Sequence, residues 1–283
     1  MKFNPILHIP HSSKIIPEKY RNYFTDENEL SETILKLTDT LTDDLFENES
    51  LMSVVFPYSR VFCDVERYDS EKEIMNKYGQ GVIYKNGLNG KLFKNQSDEV
   101  DREIIKDFYL PHIEKITSLV VGVENPLIID CHSFSHEIYK TTPFTNIPNI
   151  DFCIGYNEGD DSGRLLAEFG KTFFGDLGFK VEVNAPYAGS YTIFSVPSLM
   201  IEVNKRTYLS GDYISRLSDY YKIKNVVNYP PTAEPMGWAS GVADSPDGNA
   251  SPRFCFVSDC IPQPDNMFIP CFKMLFAAFI SLS

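Results

Sequence analysis

Two histidines define the chemistry open to this chain. His11 follows the apolar run NPILHI at 4–9, and His132 follows PLIID at 126–130. Only five histidines occur (His8, His11, His112, His132 and His136), and four of them cluster at the ends of these two runs. Ligand sites in α/β sheets lie beyond the carboxyl ends of the strands. A lone histidine at a strand end is ordinarily a hydrogen-bonded structural residue; two at two such ends favour metal ligation by His11 and His132. Catalytic zinc takes three protein ligands and keeps a fourth position for water, so a carboxylate is needed. Asp39 and Asp43, in LTDTLTDDLF, stand four apart on one face of a predicted helix. A solvated acidic face shared with Asp44 and Glu47 is an equal alternative, and the sequence does not choose between Asp39 and Asp43.

Glu202 lies inside the apolar run SLMIEVN, where alternation puts Met200, Glu202 and Asn204 on one face. A carboxylate among apolar neighbours is either paired or raised in pKa, as a general base near neutral pH requires. The alternative is a structural ion pair with Lys205 or Arg206. Arg60 and Arg67 flank CDVE; a guanidinium fork suits a carboxylate, but a purely structural pairing with Asp64 or Glu66 is as good a reading. Asn157 and Asn184 follow two further predicted strands, which puts them at the same sheet edge. From Asn184 to Thr192 the chain reads as a turn in which Pro186 and Gly189 give a tight reversal, with backbone amides able to face a substrate; a simple strand connection is the alternative. There is no G-x-S-x-G elbow, Walker loop or G-x-G-x-x-G. Cys131 and His132 are adjacent on a strand and point to opposite faces, so they are no nucleophile–base pair.

Strand-like and helix-like segments alternate, predicting an α/β fold with a largely parallel or mixed sheet. Strands are expected at 4–9, 53–56, 60–65, 126–130, 151–156, 179–184 and 198–203. Helices are expected at 27–48, at 98–119 with a bend near Pro111, at 161–174 and at 210–222. Residues 70–97 read as a long loop. The chain has 283 residues and a net charge of −13, which disfavours nucleic acid and anionic membranes as partners. No apolar run is long enough to span a bilayer. The start lacks a signal-peptide pattern, and the six cysteines form no C-x-x-C, so a cytoplasmic protein is expected. Residues 229–283 hold eight of the 18 prolines and only two basic residues; they read as a Pro-rich extension beyond a catalytic domain at 1–228.

Six motifs in order then carry a family resemblance: PHSS at 10–13, DTLTDDLF at 39–46, RVFCDVER at 60–67, DCHSF at 130–134, NAPYAGSY at 184–191 and IEVNKRTYL at 201–209. The chain resembles the N-formylglutamate amidohydrolase family over roughly residues 5–225. The resemblance implies a zinc-carboxypeptidase-like α/β fold with a mixed central sheet flanked by helices, one catalytic zinc, and hydrolysis of an N-acyl amino acid such as N-formyl-glutamate. It implies His11 and His132 as ligands, with Asp39 or Asp43 in place of the glutamate of a His-x-x-Glu pair. It further implies Glu202 as general base and Arg67 as clamp for a substrate carboxylate, with Arg60 and Arg206 as weaker candidates and Asn184 or a nearby amide as a further substrate contact. Where the family carries glycine, this chain has Ser13 and Ser190. Where the family often has D-L-N-R, this chain has Glu66, which puts a negative charge beside the clamp. Competing readings are a non-catalytic anion-binding protein on the same fold, or a hydrolase of another acylated amino acid or peptide. The site could also take another divalent ion.

Overall fold

The computed structural model describes residues 3–191 and 196–227. Among the described residues, six strands form one sheet in the order β2-β1-β3-β6-β4-β5: β1 Asn4–Ile9, β2 Met52–Val55, β3 Pro126–Phe134, β4 Phe152–Gly155, β5 Val181–Val183 and β6 Ser198–Asn204. β1, β2, β3 and β6 run parallel, β4 is antiparallel to β6, and β5 follows β4. The expected mixed α/β sheet is therefore present. Its helices are α1 Glu18–Arg21, α2 Glu27–Leu37, α3 Thr42–Leu45, α4 Asp98–Ile104, α5 Leu110–Gly122, α6 Asp161–Asp176 and α7 Tyr220–Val227.

The period-2 alternation of the central strands sorts side chains onto two faces. Leu7, Ile9, Leu127, Ile129, Cys131, Leu199, Ile201 and Val203 build one apolar core, with Leu166, Ala167, Phe174, Ile223 and Val227 from α6 and α7. Ile6 and Ile128, with Ile116 and Val120 of α5, pack on the other face. That second face also carries His8, Asp130, His132 and Glu202, all buried. The register sets His8 opposite Asp130 and His132 opposite Glu202.

Three expected elements are corrected. The helix at 27–48 stops at Leu37. Asp26 caps α2 by accepting from the Asn28 and Glu29 amides, but Thr38 turns extended and Leu41 is left-handed at φ 67 before α3 begins. Asp39 and Asp43 therefore do not share one helix face. The strand expected at 60–65 is a helical turn, in which the Ser59 carbonyl accepts from the Phe62 and Cys63 amides at 3.0 and 3.1 Å. Val61, Phe62, Cys63 and Val65 all enter a separate core with Tyr20, Leu30, Tyr84 and Phe93; a segment buried on every side has no alternation to display. The helix expected at 210–222 occupies Tyr220–Val227 instead, because the Asp212 carboxylate collects the Ile214 and Ser215 amides at 2.8 Å into a tight turn.

The bend expected near Pro111 is a π-helical segment, Ile105–Tyr109, between α4 and α5. Proline lacks an N–H and its ring crowds the carbonyl of residue i−4; a widened turn accommodates both. Among the described residues no helix is long and apolar enough to cross a membrane. The Pro-rich extension expected at 229–283 lies outside the described residues.

Candidate active site

The site is built from three segments. β1 leads through Pro10 to His11, and the His11 carbonyl accepts the Asp39 amide at 2.9 Å. The break between α2 and α3 thus pins Asp39 against His11. β3 supplies His132, and β6 its neighbour Glu202. The turn after β2 adds Arg60, Asp64, Glu66 and Arg67.

His11, Asp39 and His132 each offer an atom within 4.8 Å of the other two. Asp39 Oδ2 lies 3.1 Å from His132 Nδ1 and 3.7 Å from His11 Nδ1. Two donors on one tetrahedral zinc, at bond lengths of about 2.0–2.1 Å, stand about 3.3 Å apart. His11 Nε2 is 2.8 Å from Asp64 Oδ1, whereas its Nδ1 is buried with no hydrogen-bond partner. An ionised carboxylate only accepts, so the Asp64 contact places the ring proton on Nε2 and a lone pair on Nδ1. That lone pair faces the Asp39 and Glu66 carboxylates, an arrangement that asks for a cation. The donor set of two imidazoles and a carboxylate, with each imidazole backed by a further carboxylate, fits a divalent metal.

The electrostatics agree. Burial works against the charge on Asp39, yet the neighbouring His11 and His132 rings, with Lys205, hold it below the usual carboxylate range. Burial likewise opposes Asp64, which Arg60, His11 and Arg67 keep well below that range. Burial opposes protonation of His132, but Glu66 and Asp130 push it well above its ordinary value. Glu202 behaves oppositely: burial lifts its carboxyl to about 8, helped by Asp39 and Glu66 and countered by His132 and Arg60. Its Oε2 is buried without a hydrogen-bond partner.

The other expected residues separate. Asp43 is exposed on α3, away from the cluster. Arg60 donates from Nε and Nη2 to Asp64 at 3.2 and 2.9 Å, so both groups are engaged. Arg67 Nε sits 3.6 Å from Asp64 and lacks a hydrogen-bond partner; of the two guanidiniums it is the freer. Arg206 is exposed and holds Asn149 and Asp151 on the loop before β4. Because β4 and β5 run antiparallel to β6, Asn157 and Asn184 lie at the opposite end of the sheet from His11. The Asn184 side chain is spent on the backbone of Tyr156 and on the Gly189 amide. Gly189 has φ 85, a conformation that favours glycine. The loop they hold returns across the functional face: Tyr187 packs on Phe134, and the Tyr191 amide donates to Asp130 Oδ2 at 2.9 Å.

Sequence reasoning offered Asp64 and Lys205 only as structural ion-pair partners, gave Asp130 no role, and placed Glu66 beside the arginine. Glu66 instead turns to the histidines, with Oε1 2.8 Å from His132 Nε2 and Oε2 3.7 Å from His11 Nδ1. Asp130 was legible: two residues before His132 on one strand means the same face. Lys205 is buried, with Nζ 3.9 Å from Asp39 and donating to the Lys36 carbonyl, and burial lowers it to about 8.

The class this architecture defines is a mixed α/β sheet protein with a buried histidine–carboxylate centre at the carboxyl ends of its parallel strands. The chain belongs to the N-formylglutamate amidohydrolase family, whose model matches residues 4–209, and is accordingly a hydrolase acting on an amide. The fold resembles the crystal structure of an N-formylglutamate amidohydrolase from Ralstonia eutropha JMP134, at 19% identity and a TM-score of 0.61, over 79% of this chain and 90% of that one. It also resembles a gene product of Agrobacterium tumefaciens, at 16% identity and a TM-score of 0.54, over 75% and 85% of the two chains. No curated protein sequence matches the chain.

Proposed function

We propose that this protein hydrolyses the amide of an N-acyl amino acid of the N-formyl-glutamate type at a single divalent metal, zinc. His11, Asp39 and His132 would hold the ion. Bound there, the metal supplies a Lewis acid for the acyl carbonyl and lowers the pKa of a water. Glu202 takes a proton from the attacking water and returns it to the leaving amine, giving formate and a free amino acid. A carboxyl at about 8 suits a group that takes and gives a proton near neutral pH. Arg67 receives the substrate carboxylate and orients the scissile amide. Glu66 faces His132, so its charge is taken up within the histidine cluster.

One observation carries this reading: two buried unpartnered atoms, Nδ1 of His11 and Oε2 of Glu202, in the same histidine–carboxylate centre. The test is the metal content of freshly purified protein and of His132→Ala, together with formate release from N-formyl-L-glutamate and a panel of other N-acyl amino acids. Near-stoichiometric zinc that vanishes in the variant, with formate release by wild type, is expected. A wild-type protein that neither carries nor takes up a divalent ion would sink the proposal.

A further inference from the structure

The mechanism above uses His11 and His132 and leaves His8 and His112 idle, although both are buried. They are connected to the centre. Asp130, fully buried, has Oδ1 2.9 Å from His8 Nδ1 and 3.2 Å from His132 Nε2, while its Oδ2 accepts the Tyr191 amide. His8 Nε2 in turn lies 3.0 Å from His112 Nε2. His112 enters from the first turn of α5, its ring edge-on to Phe56 at 5.2 Å.

We infer that His112, His8 and Asp130 form a chain of positioning residues that fixes the tautomer and ring angle of His132, so that its Nδ1 is presented to Asp39 and His11. The inference rests on the metal reading of that cluster. The argument is one of donors and acceptors. Asp130, as a carboxylate, only accepts. Both histidine nitrogens facing it therefore carry hydrogen: His8 on Nδ1 and His132 on Nε2. Glu66 Oε1, 2.8 Å from that same His132 nitrogen, makes the same demand. A neutral His8 is then left with a lone pair on Nε2. A contact of 3.0 Å between two nitrogens needs one hydrogen, so His112 donates it from Nε2. Every hydrogen in the chain points toward Asp130, and the nitrogen of His132 left over is Nδ1, which faces Asp39 Oδ2 at 3.1 Å; a metal held there would take the place of the hydrogen that this carboxylate contact otherwise requires. Carboxylates and carbonyls behind metal-bound histidines orient the ring and raise its basicity, and losing one weakens metal binding about 10–100-fold. Here the orienting carboxylate is itself held by a histidine pair reaching back to α5.

Replacements that keep or remove each donor test the chain. Asparagine at 8 offers an amide N–H near Nδ1, and leucine offers none. Glutamine at 112 offers an N–H near Nε2, and phenylalanine offers none. In the full-length protein, zinc affinity is measured by competition with a chromophoric chelator, and imidazole ¹⁵N shifts report the tautomers. His8→Leu and His112→Phe are expected to weaken zinc binding, His8→Leu by about 10–100-fold. His8→Asn and His112→Gln should restore most of the loss, which a purely packing role would not produce. Wild-type spectra should show His8 protonated on Nδ1 and His112 on Nε2. Unchanged zinc affinity in both apolar variants, or wild-type His8 carrying its hydrogen on Nε2, overturns the inference. If an apolar variant does not fold, the wild-type spectra and the remaining variants decide. Wild-type protein that takes up no zinc rejects the metal reading instead, while the ¹⁵N shifts still decide the chain.

Discussion

The two faces of β1, β3 and β6 are built from alternate residues of the same strands and are buried almost equally. On one, Leu7, Ile129, Cys131, Leu199, Ile201 and Val203 are each at most 3% exposed. On the other, His8, Asp130, His132 and Glu202 are at most 7% exposed. Exposure therefore does not separate scaffold from site; what separates them is how burial is compensated. The apolar face gains by leaving water. The polar face holds charge only because its groups satisfy one another: Asp64 meets His11, Arg60 and the Tyr84 hydroxyl, and Asp130 meets His8, His132 and the Tyr191 amide. Among the described residues the buried side-chain atoms without a hydrogen-bond partner are His11 Nδ1, Glu202 Oε2, Arg67 Nε and Thr40 Oγ1, and the first three belong to this centre, open to something from outside the chain.

The comparison breaks most sharply at Glu202. Glu202→Gln keeps the shape of the polar face and removes its proton acceptor, so turnover should fall by about 10²–10⁴-fold with metal retained. Ordinary turnover in a metal-loaded Glu202→Gln protein would remove Glu202 from the mechanism. The same variant has a signature in stability. Burial raises Glu202 from 4.5 to about 8, so the folded state keeps a proton that the unfolded chain releases. In metal-free protein this contribution is intact below pH 4.5 and is lost as pH rises toward 8. Glu202→Gln lacks that loss. Its urea midpoint should therefore gain on wild type between pH 4.5 and 8, and a constant difference would contradict the raised pKa.

On the other face, Ile201→Ala, one residue earlier on β6, should act on stability alone. Truncating a buried isoleucine costs about 2–5 kcal/mol through lost transfer energy and a residual cavity. Urea melts should show that loss, while metal content per folded molecule stays that of wild type. Loss of metal in the folded fraction would mean that the two faces are not separable. Asp64→Asn is the converse. It keeps the volume but weakens the acceptor for His11 Nε2 and leaves Arg60 and Arg67 without their counter-charge. Metal affinity should drop about 10–100-fold, and KM should change because the freer arginine stands beside the same carboxylate. Wild-type metal affinity in this variant would show that Asp64 does not orient His11.

Much of this was legible in the sequence, and the limits have physical causes. Strand alternation put Glu202 on one face with Met200 and Asn204 and turned His132 away from Cys131, and the apolar runs located β1, β3 and β6, because a buried strand writes its environment into every second residue. Helical spacing failed at Asp39. Leucines at three and four continue through 41 and 45, but the chain turns left-handed at Leu41, and no periodicity announces that turn. The Arg60–Val65 run was misread because full burial erases alternation. Glu66 was placed beside Arg67 by adjacency in sequence; in the turn after Asp64 the two neighbours diverge, and Glu66 reaches His132. Asn157 and Asn184 were assigned to the wrong end because strand direction is a property of the whole sheet and is not encoded locally.

The smallest effects test the edges of the comparison. Asp43 is exposed, whereas Asp39 is 2% exposed. Asp43→Asn should leave metal content unchanged and Asp39→Asn should not, which resolves the pair that helical spacing left open. Arg206 is the last case, since its neighbours in sequence, Lys205 and Asn204, are buried on the polar face. Its own side chain is 42% exposed and reaches Asp151 at 2.9 Å and Asn149, beyond the sheet edge. An exposed pair of this kind contributes about 0–1 kcal/mol. Arg206→Ala should therefore shift the urea midpoint slightly and leave KM for the acyl amino acid as in wild type, whereas Arg67→Ala should raise it. A KM rise in Arg206→Ala would bring the substrate carboxylate to the β6 end of the site.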